Sequence, residues 1–592
     1  MKLLKTQEAV ALRWEGDWNP DGYLLMPGAV YAGNRHQKLS VQYPPFVPEG
    51  ALRRPDSPIL ITDIPALNTG EGPSEICQRS GDLSTPAVGY YDPASSCAVF
   101  LLGVHKTSCG YTEFDVQESD DRRSCTITYK AVSVRPYTYT MCDSHSPCDD
   151  TSAAGKMAAD FELPYKLIEF PCNSINEFFD RFLSERKTMG EDSSLIPPVD
   201  RKAFMDTYVQ KYNKYNWNEE GFYMSGTGGN LYQEWQSGWT GGGMFTLALY
   251  RAGGSLTKER VLRSLDFCFR QLQNPRGWFY AVYYQGKIYG DDFAHPEKTN
   301  ILMSRKQADM LYFLLLQYRE FGEGHEDWKQ GLIKGLDAAV RMYERYGHWG
   351  QFVDIDTEEI LIGTTASAGL MPGALMLGYD IFGDERYREA ALGAGKYYYE
   401  NFTAKGIANG GPGEILQCCD SESAFALVES FVVLYEHTKD VYWLTAAKAA
   451  ANLFATWVVS YNFEFPADCE FARLGIKTTG SVIANCQNKH SAPGICAMSG
   501  DSLLRLYEYT GDRRYYDLIR DIARNIPQYT STKARPIHSV DGEILPPGFS
   551  CERVNMSDWE GKNWIGGVWN GSCCWCETAA MLTATEGLLQ EL

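Results

Sequence analysis

The spacing of hydrophobic and polar positions changes near residue 200. Before it the chain carries short apolar runs, among them HQKLSVQY (36–43), SPILITDIP (57–65), CAVFLLGVH (97–105), SCTITYKAVSVRPY (124–137) and FELPYKLIEFP (161–171). Several alternate apolar with polar, as over 126–132, and Gly, Pro, Asn, Asp and Ser separate them at short intervals. Period-two alternation with frequent turn signals predicts antiparallel strands packed as a β-sandwich. SINEFFDRFLSERKTMG (174–190) follows at helical period, with Ser174 as N-cap and Glu177 three residues on as a capping box. SLIPPVD (194–200) marks a boundary by its prolines. The expected organisation is a β-sandwich over 1–173, a linker helix over 174–199 and a helical domain over 200–592.

From residue 200 long helical patterns alternate with glycine-rich loops. RKAFMDTYVQKYNKY (201–215), GWTGGGMFTLALYRAGG (238–254) and KERVLRSLDFCFRQL (258–272) come first. Further patterns cover 304–322 and 326–347, 365–384 and 385–402, 420–440 and 441–461, 499–512 and 513–526, and 576–590. These make twelve helices in six pairs. Small, apolar helices alternate with amphipathic ones, and the junctions YRAGGS, YEHTKD and YEYTGD repeat one grammar. A helix apolar on all sides is buried, whereas an amphipathic one faces water. Six such pairs close into an (α/α)6 barrel, or toroid, with the apolar helices inside.

That topology places a site. The short junctions leave each inner helix, and the long, aromatic-rich segments enter it. The entering segments therefore gather at one mouth with the inner helices' N-termini, which favour anions and polar ligands. They are 231–243, 288–309, 362–369, 410–423, 483–502 and 546–578. They contain Trp235, Trp239, Trp559, Trp564, Trp569 and Trp575, and the acids Glu234, Asp309, Asp420, Glu422, Glu552 and Glu577. Carboxylates beside tryptophans suit glycoside chemistry, in which one acid protonates the leaving oxygen and a second attacks or activates water.

Asp420, Glu422, Glu552 and Glu577 are the candidate acids and bases, with His490 as a further titratable group. Trp235, Trp239 and Trp575 are candidate stacking surfaces, and Glu234 a polar contact. Arg305, Lys489 and Arg553 would suit a carboxylate on the sugar. Each has a structural alternative. Asp420 is an ordinary N-cap, Glu577 a first-turn acid favoured by the helix dipole, Glu552 and Arg553 a loop ion pair, and His490 a satisfied core histidine.

Composition narrows the partners. Aromatics reach 13% of 592 residues, with 37 Tyr and 14 Trp, residues at home where one side is apolar and the other wet. A net charge of −20 argues against nucleic acid and against anionic membranes. The N-terminal apolar patch is broken by Lys5, Gln7 and Glu8, and no apolar run reaches transmembrane length. The 17 cysteines are odd in number and often fall on helical patterns, so they read as reduced thiols of a cytoplasmic protein. Seven of them, Cys418, Cys419, Cys486, Cys496, Cys573, Cys574 and Cys576, lie in the last three mouth segments. Cys496, Cys573, Cys574 and Cys576 are the candidates for zinc, although their spacing matches no standard C-x2-C pair. No cofactor is otherwise called for.

Over about 200–592 the sequence resembles the six-hairpin glycosidase superfamily, through the six-pair grammar and the segments DSESAFALVESFVVLYEHTKD and SGDSLLRLYEYTGDRRYYD. The resemblance implies catalysis by Asp or Glu at the mouth; that group includes exo-glycosidases, glycoside phosphorylases and uronyl hydrolases. A narrower likeness is to bacterial β-L-arabinofuranosidases that use a zinc-held cysteine. It rests on Cys496 in GICAMSGD and Cys573–Cys574 in GSCCWCET. The chain departs from that pattern: Gly494 stands where the motif has Glu, and the sheets precede the helices instead of following them. The expectation is an exo-acting glycoside hydrolase on oligosaccharides inside a bacterium, with a homo-oligomer allowed. The alternatives are a polysaccharide lyase or uronate-active enzyme, a zinc- and cysteine-dependent arabinofuranosidase-like hydrolase, and a non-catalytic sugar-binding protein.

Overall fold

The structure, a computed structural model, describes all residues except 40–46, 133–135, 138–147, 150–157, 159, 191–195, 198, 558–564, 569–573 and 592; at 136–137, 148–149, 574 and 590–591 it describes the backbone alone. The N-terminal region holds two five-stranded antiparallel sheets. In the first the order is Lys2–Lys5, Ala9–Glu15, Ser124–Lys130, Glu113–Glu118, Ser74–Arg79. In the second it is Lys166–Pro171, Cys97–Leu102, Ala87–Asp92, Tyr23–Met26, Val30–Tyr31. The expected strand at 36–43 contributes only Gln37–Lys38, paired in parallel with Leu60–Ile61, before it passes into residues outside the described set.

Alternation decides what each sheet face meets. In the first sheet Leu12, Phe114, Val116 and Ile127 point into a core shared with Val88, Val99 and Leu101 of the second. The second sheet is covered on both faces. Its other set, Leu25, Ala87, Ala98, Phe100 and Leu102, packs into the large core of the helical part. There Phe178 and Phe182 of helix α1 (Ile175–Glu185) stand over Phe100. Ser174 caps α1 by accepting from the Glu177 N–H. The capping box closes one residue earlier than expected, because Glu177 reaches the N–H of Asn173.

The helical part follows in order: α2 (Arg201–Lys211), α3 (Phe245–Ala252), α4 (Ser255–Phe267), α5 (Ser304–Phe321), α6 (Glu326–Tyr346), α7 (Met371–Phe382), α8 (Glu385–Asn401), α9 (Ser421–Thr438), α10 (Val441–Phe454), the short α11 (Glu470–Leu474), α12 (Asp501–Thr510), α13 (Arg513–Asn525), α14 (Cys574–Thr585) and α15 (Leu588–Glu591). Helices α3, α5, α7, α9 and α12 pack successively on one another, and α14 packs on α3. The Thr583 hydroxyl of α14 donates to the Ser499 carbonyl just before α12, which completes an inner ring. Outside it lie α4, α6, α8, α10 and α13, each against the inner helix that precedes it, while α2 packs on α14 and α3. The six pairs expected from the periodicity are therefore present. In α9 every residue from Ser421 to Leu434 is buried, whereas α13 buries one face.

Two inner helices start later than their patterns suggested, α3 at Phe245 and not 238, α7 at Met371 and not 365. In the first case the glycines are committed to a loop. Gly243 takes φ +77, and a Cβ on Gly242 would sit 1.9 Å from the Gln236 carbonyl. In the second, Pro372 fits only the first turn of a helix. Residues released in this way line the mouth.

The N-terminal region braces one loop of that mouth. Leu60 and Gln417 exchange two hydrogen bonds at 2.8 Å, one backbone to backbone and one from the Leu60 N–H to the Gln417 side chain. Tyr31 stacks on Trp457 and shares a hydrogen bond with Thr456. Among the described residues no helix is long and apolar enough to cross a membrane.

Candidate active site at the mouth of the helical ring

Five of the six entering segments, all but 362–369, line a cavity of 320 Å³. Its aromatic walls are Tyr232, Trp239, Phe293 and Trp575. The amides of Gln233, Gln236, Asn485 and Asn488 also face it, as do three carboxylates, Glu414, Glu422 and Glu552, with Arg553, His490 and Cys496 beside them. Of the residues singled out in the sequence, Trp239, Trp575, Glu422, Glu552, His490 and Arg553 are thus brought together.

Glu422 lies in the first turn of α9. Its Oε2 accepts the indole N–H of Trp239 at 3.0 Å and forms an ion pair with the buried Arg305 guanidinium. Trp239 itself adopts φ +32, a strained backbone for a bulky residue. Leu416, Lys489 and Ala497, also in the mouth segments, are left-handed too. Strain of this kind persists where surrounding contacts over-determine it, and it gathers at functional sites.

Glu414 had not been singled out. It sits in GGPGEILQ, within a single 3-10 turn over Gly413–Ile415, two residues before the left-handed Leu416 that the N-terminal region holds. Its Oε2 is buried and finds no hydrogen-bond partner among the described residues. Burial pushes its pKa up to about 7; Arg553 and Arg305 pull the other way and Glu552 adds to the rise. The signal in the sequence was an acid in the Gly- and Pro-rich first half of an entering segment, ahead of Asp420 and Glu422. The long-range contacts that bury it carry no local signature.

His490 is buried, and that burial, with Arg553 nearby, pulls its pKa down to about 3. It is therefore a neutral imidazole, with Nδ1 3.1 Å from the Ser491 carbonyl. Glu552 and Arg553 form the loop ion pair considered above, at 3.8 Å.

Six other candidates are placed elsewhere. Asp420 is the N-cap of α9, accepting from the Ser423 N–H at 2.6 Å and the Gly411 N–H at 2.9 Å. Asp420→Asn keeps only one of these acceptors, so a stability loss of about 1–3 kcal/mol is expected, with kcat within a few-fold of wild type; thermal melts and initial rates check both. Glu577 turns away from the mouth to a fully buried ion pair with Lys211 of α2, at 2.6 Å. Trp235 is core, edge-on to Phe222 and Phe267. Glu234 ties loops together through Asn218 and the Gln285 N–H. Arg305 is consumed by its acids, Asp309 and Glu422, and does not face the cavity. Lys489 is buried behind the lining.

Among the described residues no three ligand-type side chains cluster at the mouth. Burial pushes the Cys496 thiol up to about 12, and its Sγ lies 3.6 Å from the Trp239 carbonyl. Cys576 donates to the Glu552 carbonyl at 3.2 Å. Cys573, the side chain of Cys574, and Trp559, Trp564 and Trp569 lie outside the described residues. Among the described residues the one cluster of three ligand-type side chains is Cys77, Glu113 and Asp115, on the first sheet, where the Lys130 ammonium bridges both acids. None of the thirteen described cysteines forms a disulfide with another described residue.

No protein-family model matches the chain, and no curated protein matches it in sequence. Among solved structures it is similar to a D-mannose isomerase, at 12% identity over 66% of this chain and 98% of that one, with a TM-score of 0.44. It is similar to the GH76A α-1,6-mannanase of Salegentibacter sp. HEL1_6, at 13% identity over 66% and 100% of the two chains, with a TM-score of 0.42. A third likeness is to the cellobiose 2-epimerase of Spirochaeta thermophila DSM 6192, at 13% identity over 70% and 99%, with a TM-score of 0.43.

Proposed function

We propose that the protein is a carbohydrate-active enzyme, an exo-acting glycoside hydrolase that takes the end of an oligosaccharide into the mouth cavity. The observation that carries this reading is Glu414, a carboxyl whose pKa burial pushes up to about 7, so that it keeps a substantial protonated fraction at neutral pH, set in the same cavity as the ion-paired Glu422. Two carboxyl groups held in different states divide the work of glycoside cleavage. The protonated one gives its proton to the leaving oxygen, and a charged one assists attack or stabilises the oxocarbenium-like transition state. Glu422 and Glu552 are the candidates for the second role. Aromatic faces of Trp239 and Trp575 suit the apolar faces of sugar rings, and the amides of Gln233, Asn485 and Asn488 suit hydroxyls, whereas that of Gln236 is already held by Tyr232 and Lys306. A volume of 320 Å³ is near the lower end of ligand pockets, about 300–1,000 Å³, which suits a chain end and not a long glycan. The two N-terminal sheets, read as a sandwich, serve as a brace for the loop that bears Glu414.

The lyase or uronate reading fares less well. It needs His490, a Tyr or Lys489 as a base: an imidazole with a pKa of about 3 is a weak one, Lys489 does not line the cavity, and burial pushes the phenol of Tyr232, which does line it, up to about 12.

Purified protein should be incubated with a panel of aryl-glycosides and short oligosaccharides, with and without a zinc chelator, and products resolved by chromatography. Monosaccharide release from chain ends that survives chelation is expected. An ultraviolet-absorbing product from uronate polymers, or binding of sugar with no turnover, would overturn the hydrolase.

A further inference from the structure

We propose that Asp309, a fully buried acid on α5 that does not line the cavity, is a positioning residue for both Glu422 and Trp239. The inference rests on the sugar-active reading above, and it concerns how that site is held together.

Asp309 Oδ2 accepts two hydrogen bonds, from the backbone N–H of Trp239 at 3.0 Å and from Nε of Arg305 at 3.2 Å. Arg305 lies four residues earlier on the same helix, so the two side chains share a face. Its guanidinium continues to the Glu422 carboxylate, and Glu422 Oε2 accepts the indole N–H of Trp239. The contacts close a circuit: Asp309 to Arg305, Arg305 to Glu422, Glu422 to the Trp239 ring, and the Trp239 backbone back to Asp309. Trp239 is gripped at both ends, which accounts for a tryptophan held at φ +32. Lys306, bonded to Gln236 and Asp291, lies 5.6 Å from the centre of the same ring.

The circuit also sets charge. Two acids share one guanidinium, so an ionised circuit carries one surplus negative charge. Only Glu422 presents it to the cavity, because Asp309 has no exposed surface. Negative charge there favours a transition state in which a sugar ring becomes positive. Burial works against ionised Asp309 and Arg305 works for it, so the acid depends on its partner.

Asp309→Asn keeps the volume and one acceptor oxygen but removes the charge. The expected result is a kcat lower by roughly 100-fold with KM changed by less than about threefold, and an altered near-ultraviolet circular dichroism signal from Trp239. The double variant Asp309→Asn/Arg305→Gln should be no slower than the slower single variant, since the residues act as one unit. Unchanged kcat, a rise in KM alone, or additive losses would overturn the proposal. Trp239→Phe provides an arm that spares the buried acid. It removes the indole donor, and with it part of the stacking face, and it should lower kcat while melting close to wild type; full activity would equally overturn the circuit. If wild-type protein turns over no sugar, the functional reading fails. The tryptophan signal of Asp309→Asn then still decides the positioning role, and an unchanged signal rejects it.

Discussion

Replacing Glu414 by glutamine is expected to lower kcat by roughly 10²–10⁴-fold, the usual worth of a positioned proton donor, with the fold retained. Glutamine fills the same space and needs no proton, so the variant separates chemistry from packing. The pH dependence sharpens the test. A donor must be protonated, so with a pKa of about 7 the wild-type kcat/KM should fall on the alkaline side of neutrality. That limb should vanish in Glu414→Gln. Its position should also move with the neighbours. Removing the Glu552 charge takes away a cause of the raised pKa and shifts the limb to lower pH. Removing the Arg553 charge shifts it to higher pH. Initial rates across pH check all three variants. A limb that stays in place would assign the proton to another group.

The second large effect concerns stability. Lys211, at the end of the first outer helix, and Glu577, on the last inner helix, pair at 2.6 Å across the closure of the ring, and neither side chain is exposed. The ammonium also lies 4.7 Å from the Tyr212 ring centre and 4.8 Å from that of Phe549. Lys211→Met leaves a buried carboxylate without its partner, a loss of about 3–5 kcal/mol. Lys211→Met/Glu577→Leu should recover most of it, because both desolvated charges are then gone. The pH dependence has a definite sign. Burial raises the pKa of Glu577 and Lys211 opposes the rise. Without Lys211 the folded-state pKa lies above the unfolded value, so the folded state binds the extra proton. The deficit relative to wild type should therefore be small in acid and grow as pH rises through the folded pKa. Melting temperatures across pH check this, and a deficit that grows toward acid would contradict it.

These two glutamates mark the limit of what the sequence reveals. The change of period near residue 200 announced strands before it and six helix pairs after it, because burial on one face or on all faces leaves a regular trace. The entering segments could be assigned to one mouth by topology alone. Which side chains within them face the cavity could not be read, since that depends on loop geometry and packing between distant segments. Glu577 looked like a mouth acid because it follows CCWC at a helix start, but it points to α2. Trp235 sits four residues from Trp239 in the same glycine-rich segment, yet one is core and the other lines the cavity. Glycines at 241–243 extended the apparent helix, although their backbone is needed for the loop that turns Trp239 toward Glu422. Asp420 could be read as a cap from the pattern D-S-E-S, and it is one.

The most direct measurement is the ionisation of Glu414 itself, which needs no substrate. Protein labelled with carbon-13 at the glutamate carboxyl, compared by NMR with Glu414→Gln across pH, isolates its resonance by difference. A single group titrating near pH 7 and absent from the variant is the predicted result. A Glu414 resonance titrating near the ordinary glutamate value of about 4.3 would contradict the assignment of the proton to this residue, and with it the division of roles on which the proposed function rests.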